Sequence, residues 1–220
     1  MVRRVFPVSL GLVSESVSTW VLLGGCLGIM VDMPDLIVVT GPPGAGKTTV
    51  AKSLSRLFKP SALVAGDQFL AFIDQGYIAP WTAAAHHQNE VVIKAAAAAA
   101  GRLASGGYTV VYDGVLGPWF LEAFAAATGL PFLHYAILLP PEQVCLERVR
   151  CRADHGFRDL AATRHMHQEF AKADIDPKHV LASSDDSPAL AARLFHLAEA
   201  EVLRWPAHGP EVSPRRPSTP

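Results

Sequence analysis

Five short apolar runs mark the middle of the chain, at residues 36–40, 62–65, 109–112, 132–139 and 179–182. Within each run the apolar side chains are nearly continuous and do not alternate with polar ones. That pattern predicts parallel strands covered on both faces. Between and after the runs lie segments with helical character, at residues 47–58, 82–104, 119–127, 142–152, 159–172 and 188–204. Pro188 suits the first turn of the last one. Residues 95–100 are all alanine and are flanked by Glu90, Lys94 and Arg102. Their helix propensity predicts a helix with a small-residue packing face. Strand–helix alternation with right-handed crossovers predicts an α/β fold in three layers, with a five-stranded parallel sheet between helices. There is no internal repeat and no sign of a second domain.

The two ends depart from this pattern. Arg3, Arg4 and the apolar stretch 20–31 imitate a secretory signal. Glu15 and several serines separate the charges from the apolar part, and no small-residue cleavage site follows. The stretch is also shorter than the ~20 residues of a membrane span. Residues 1–33 are therefore expected to be a flexible extension, followed by a domain over residues 34–205. Met30 and Met33 stand just before the first core strand, so a translation start there is an alternative reading. Residues 206–220 are rich in Pro and Ser and lack an apolar period, which predicts a disordered tail.

Composition narrows the classes further. The chain has 220 residues, half of them hydrophobic, enough for the core of one α/β domain. A formal net charge of −1 supplies no strong field for nucleic acid or an anionic membrane. None of the 3 cysteines, Cys26, Cys145 and Cys151, sits in a C-x-x-C motif, and their number is odd. This suits a reducing cytoplasm, with Cys145 and Cys151 as packing residues.

Residues 41–48 read Gly-Pro-Pro-Gly-Ala-Gly-Lys-Thr, a full match to G-x-x-x-x-G-K-[ST]. The motif lies between the first apolar run and the first helical segment, the context in which it binds phosphate. Gly41, Pro42, Pro43, Gly44, Ala45, Gly46, Lys47, Thr48 and Thr49 are the expected nucleotide-binding residues. The glycines let successive N–H groups face one concavity at a helix N-terminus. Lys47 is placed for the β- and γ-phosphates of ATP, and the Thr48 hydroxyl for Mg²⁺. A glycine-rich turn with no ligand would not need Lys and Thr after its last glycine.

Two aspartates end strands. Asp67 follows the second run, where ligands bind in open α/β sheets. Its carboxylate can accept the proton of an acceptor hydroxyl; an N-cap before Gln68, Phe69 and Leu70 is the plainer reading. Asp113 ends the third run and resembles a Walker-B carboxylate for Mg²⁺, with a turn before Gly114 as its plainer reading. The reverse pairing, Asp113 toward the acceptor and Asp67 toward the metal, stays open.

The run from Leu139 to Arg152 and the loop around His155, Gly156 and Phe157 resemble the lid region of small P-loop kinases. That group includes nucleoside monophosphate, shikimate and gluconate kinases. The segment Glu147-Arg148-Val149-Arg150-Cys151-Arg152 is similar to the E-R-x-x-x-R stretch of gluconate kinases. The segment from Ala65 to Leu70 is similar to chloramphenicol phosphotransferase and related antibiotic-modifying kinases. The resemblance spans roughly residues 35–201 and implies a P-loop NTPase fold with a helical lid. It implies lid arginines at Arg152 and Arg158, although pairing with Glu142, Glu147 or Asp154 is the plainer role for such arginines.

Phe69, Phe72, Tyr77, Pro80 and Trp81 form the segment that would cover an acceptor, or else ordinary core. His86 and His87 point about 100° apart on a helix and do not suit a shared metal. His165 and His167 lack a ligand partner at suitable spacing. Residues 183–187 would lie near the adenine by resemblance. The expected function is an ATP-dependent kinase that phosphorylates a hydroxyl of a small molecule in the cytoplasm, without nucleic acid or membrane. The alternatives are a kinase of antibiotics or nucleotide-sugars, and a regulatory ATP-binding protein with slow hydrolysis.

Overall fold

The computed structural model describes residues 20–23, 26–29, 36–151, 157–182 and 187–207. The chain divides into two compact units, Met1–Met33 and Pro34–Pro220. In the first, β1 (Trp20–Leu23) and β2 (Cys26–Ile29) pair antiparallel, with Trp20 opposite Ile29. This hairpin lies in the stretch expected to be an extension.

The second unit is built on six strands: β3 (Leu36–Thr40), β4 (Ser61–Ala65), β5 (Thr109–Asp113), β6 (Phe132–Leu138), β7 (Val180–Leu181) and β8 (Arg204–Pro206). Five of them are parallel in the order β4-β5-β3-β6-β7. Alternate residues of the central strands face opposite layers. Leu36, Val38, Val110, Tyr112, Tyr135 and Ile137 join one core with α3 (His86–Ser105) and α4 (Pro118–Thr128). Ile37, Val39, Val111, Ala136 and Leu138 join the other with α1 (Lys47–Ser55) and α7 (Ser187–Glu199). Because both faces are covered, the strands need apolar residues at every position. The alanine run acts as expected: Ala96, Ala97 and Ala100 are fully buried, so α3 packs closely on the sheet.

The sixth strand corrects the five-stranded expectation. β8 is antiparallel to β6, with Phe132 opposite Pro206 and His134 opposite Arg204. The expected helix 188–204 ends at Glu199, and Glu201 turns the chain with φ 55°. Trp205 then packs 5.5 Å from His179 and 6.4 Å from Tyr135, ring to ring. Pro206 sits in this strand and Ala207 is buried. The rest of the expected tail, residues 208–220, lies outside the described residues. Three further α-helices belong to the unit, α2 (Asp67–Leu70), α5 (Glu142–Arg150) and α6 (Leu160–Lys172), with short 3-10 turns at Ala83–Ala85 and Pro177–His179. Asp159 caps α6 by accepting from the Ala162 N–H at 2.9 Å. Among the described residues, no helix is long and apolar enough to cross a membrane.

Candidate active site

The Gly41–Thr48 motif leaves β3 and enters α1 at the carboxyl edge of the sheet. Thr40 fixes its start: its hydroxyl donates to the Leu116 carbonyl at 3.0 Å and accepts from the Leu116 N–H at 2.8 Å. Gly41 has φ 141°, and a Cβ there would stand 2.2 Å from the Leu138 carbonyl oxygen. Gly44 has φ 84°, and its Cβ would stand 2.3 Å from the Cys145 carbonyl oxygen. The loop thus runs so close to β6 and α5 that only glycine fits at these two positions. α1 carries no acidic residue in its first turn, so its N-terminal N–H groups and dipole are left for an anion.

Lys47 is buried, and its Nζ donates to the Pro42 carbonyl at 3.1 Å. The ammonium is folded over the loop that the motif makes for phosphate. Thr48 and Thr49 are exposed on the first turn. Arg148 braces the far side, with Nη1 3.4 Å from the carbonyl oxygens of both Gly44 and Ala45.

The two aspartates occupy different surroundings. Asp113 ends β5 opposite Val39 and is only 7% exposed. The Thr48 side chain stands close enough to this carboxylate to affect its ionisation. Burial raises the Asp113 pKa above the usual carboxylate range, while the Thr48 side chain and the Lys47 ammonium pull the other way. A hydroxyl and a carboxylate together beside the phosphate loop are hard oxygen donors that fit Mg²⁺. Asp67 is exposed and opens α2 just beyond β4. Gly66, not Asp67, holds the N-cap position, and no side chain caps this helix. The Gly66 N–H donates to the Asp113 carbonyl at 2.7 Å, which ties the two strand ends together. Tyr112 reaches between them. Its phenol passes so close to Gly66 that a Cβ there would lie 2.2 Å from the hydroxyl oxygen. Burial, and then the charges of Asp67 and Asp113, raise the Tyr112 pKa, so the phenol stays protonated.

A cavity of about 310 Å³ runs from Pro43, Lys47 and Thr48 past Asp67 and Tyr112. Its lining also includes Leu70, Val92, Ile93, Val115 and Met166, and four aromatic rings: Trp81, Trp119, Phe120 and Phe157. Trp81 and Phe157 meet edge to face with centroids 5.2 Å apart. Of the segment expected to cover an acceptor, Pro80 and Trp81 line the cavity. Phe69 packs on the core, and Phe72 and Tyr77 are exposed. α3 holds this segment. The Gln88 amide exchanges two hydrogen bonds of 2.7 Å with the Ile78 backbone, and Asn89 Nδ2 donates to the Pro80 carbonyl at 2.7 Å. Asn89 Oδ1 is buried and has no hydrogen-bond partner.

The lid arginines divide. Arg158 is exposed and is not a lining residue of the cavity. Arg152, with Asp154, His155 and Gly156, lies outside the described residues, as do residues 183–186. Arg164, on α6, is the arginine that pairs with Glu142, at 3.1 Å. No group of three or more metal-ligating side chains occurs among the described residues. His86 stacks on Phe120, and His167 Nε2 lies 2.8 Å from the Pro140 carbonyl. Tyr112, Asn89, Trp119 and the loop contact of Arg148 were not foreseen as site features. Gly66 and Gly114, which flank Tyr112 in space, were its only trace in the sequence.

The profile of an AAA domain family, AAA_18, matches residues 37–159, more than half of the chain. The chain belongs to the AAA_18 family. The matched span of this AAA domain runs from the phosphate loop through both strand-end aspartates to the N-cap of α6. No curated protein matches the sequence. Solved structures share the fold. The tunicamycin resistance protein of Deinococcus radiodurans superposes with a TM-score of 0.56 at 16% identity, covering 79% of this chain and 99% of its own. The APS kinase CysC of Mycobacterium tuberculosis, solved with AMPPNP and APS, gives 0.58 at 17% identity, over 76% and 98%. A sugar kinase from Janibacter sp. HTCC2649 gives 0.55 at 19% identity, over 76% and 94%. The fold of this AAA_18 domain is therefore the P-loop NTPase fold that those kinases use.

Proposed function

We propose that the chain is an ATP-dependent phosphotransferase that moves the γ-phosphate to a hydroxyl of a small molecule. One observation carries the reading: the cavity that includes Lys47 and Thr48 of the phosphate loop continues past Asp67 into a largely apolar compartment. A protein that only binds or slowly hydrolyses nucleotide needs no such compartment. In the proposed reaction the acceptor oxygen attacks the γ-phosphorus and the bond to the β–γ bridging oxygen breaks. The hydroxyl proton passes to Asp67, and ADP leaves. Lys47 and the loop N–H groups offset charge on the β- and γ-phosphates. Thr48 and Asp113 are the residues that would hold Mg²⁺, which when bound neutralises phosphate charge. The burial of Asp113 beside Thr48 and Lys47 favours this division of roles over the reverse one. Arg158 is proposed, with Arg152, to close over the phosphates, and Arg148 supports the loop from outside.

The test is acceptor-dependent ADP release across a pool of hydroxylated metabolites and natural products. Strong stimulation by one compound, with that compound recovered as a phosphate monoester, is expected. Slow hydrolysis that no compound stimulates would instead favour the regulatory reading.

A further inference from the structure

Building on the kinase reading, we infer that the Tyr112 hydroxyl is a further catalytic group: it donates a hydrogen bond to the acceptor oxygen whose proton passes to Asp67. The argument starts from the strand. Tyr112 is the last residue but one of β5, level with Val38 on β3 and Val64 on β4. It belongs to the core on the α3–α4 side, and its ring meets Phe124 edge to face with centroids 4.8 Å apart. A phenylalanine would fill this place equally well, so packing does not explain the added oxygen. That oxygen stands against the backbone at the ends of two strands. A Cβ at Gly66 would lie 2.2 Å from it, and one at Gly114 2.8 Å. Neither glycine has a positive φ, so the phenol and not the turn requires them. Asp67 follows Gly66 in the chain and Asp113 precedes Gly114. The hydroxyl therefore stands between the two aspartates, and the charges of both act on it.

Tyr112 is only 2% exposed, yet it lines the cavity together with Lys47, Thr48 and Asp67. Among the described residues, no protein group hydrogen-bonds its hydroxyl. A buried hydroxyl without a partner is unfavourable, so a bound oxygen gains there what the protein leaves open. Burial keeps the phenol protonated, which makes it a donor where Asp67 is an acceptor. An alcohol oxygen serves both at once. It gives its proton to Asp67, accepts from Tyr112 with one lone pair and keeps the other for the γ-phosphorus. As the O–P bond forms, the bond to the β–γ bridging oxygen breaks; the alcohol proton ends on Asp67, and Tyr112 keeps its own. Two fixed partners hold the attacking oxygen in line.

The test uses water as the probe acceptor. Tyr112→Phe is compared with the wild-type full chain in Mg·ATP hydrolysis, and in calorimetric titration of Mg·ADP with and without aluminium fluoride. That anion mimics the transferring phosphoryl group with a water in line. Both kcat for hydrolysis and affinity for the aluminium fluoride complex are expected to fall by about tenfold, the scale of one hydrogen bond. The KM for Mg·ATP, the Mg·ADP affinity and the melting temperature should stay at their wild-type values. Unchanged kcat and aluminium fluoride affinity overturn the proposal. So does an equal loss of Mg·ADP affinity, which would put the hydroxyl on the nucleotide or the loop. A variant that fails to fold overturns it too, because the protein itself would then need the hydroxyl. Failure of the kinase reading looks different. A wild-type chain that forms no complex of ADP with aluminium fluoride removes phosphoryl transfer, and the proposal with it. A tenfold loss in the variant while no alcohol is ever phosphorylated keeps Tyr112 on the attacking oxygen and removes only the kinase.

Discussion

At position 47 the ammonium lies 3.1 Å from the Pro42 carbonyl and contributes little to the apolar core. Its removal should therefore act on chemistry and not on folding. Lys47→Ala is expected to lower turnover by at least about 10²–10³-fold, the scale of losing one charge-stabilising donor. Unchanged ADP production by a variant with a wild-type melting curve would exclude the proposed site. The aspartates call for a paired experiment. Asp67→Asn keeps shape and removes the proton acceptor, so kcat should fall by about 10²–10⁴-fold with Mg·ATP affinity little changed. Asp113→Asn should instead weaken the Mg²⁺ dependence of nucleotide binding. Burial holds the Asp113 pKa above the usual carboxylate range, so this Mg²⁺ dependence should fade on acidification before an ordinary carboxylate would protonate. If Asp67→Asn shifts only the metal dependence, the two roles are reversed.

At the scale of elements, what could be read in advance follows from how each element is specified. The strands β3, β5 and β6 are buried on both faces, so their apolar runs mark them directly, whereas β4 at the sheet edge has only Val64 buried. The phosphate loop is equally plain, because a contact as close as Gly44 to Cys145 requires glycine. β8 was hidden. It has three residues, and the apolar period of α7 runs on into Leu203 across the turn at Glu201. Only tertiary contacts specify it: Trp205 on His179 and Tyr135, and the Arg204 guanidinium 3.8 Å from the Phe132 ring centre. The cavity was half legible, since Pro80 and Trp81 belong to one segment. Trp119, Phe120 and Asn89 come from two helices that only the fold brings together. The β6–β8 edge also carries a pH dependence. His134 is buried there, and burial lowers its pKa from 6.5 to about 4. A depressed histidine stabilises the fold fully above the unfolded-state value, and that stability is lost as pH falls from about 6.5 toward 4. The loss should reach about 3 kcal/mol by pH 4, with His179 shifted in the same direction. His134→Gln should flatten the slope of unfolding free energy between these values, as denaturant titrations at stepped pH would show. An unaltered slope would mean that His134 does not titrate with folding.

For the whole molecule, the question is which part of the chain the nucleotide site depends on. Every described residue of the two core clusters, the phosphate loop and the cavity lies within the unit Pro34–Pro220. A chain beginning at Met33 should accordingly fold and bind ATP. Melting temperature is the sensitive measure, because in a domain of this size about 1 kcal/mol shifts it by roughly 2–4 °C. The shortened chain is expected to melt within that margin of the full one. Absolute melting temperature alone would not separate a damaged site from a lost surface contact. The shift produced by Mg·ATP does, since a ligand that binds only the folded state raises stability according to its own affinity. Equal ATP-induced shifts in the two chains are expected. A smaller shift in the shortened chain would tie residues 1–32 to the nucleotide site. A lower melting temperature with an equal shift would instead show that they pack on the domain away from it.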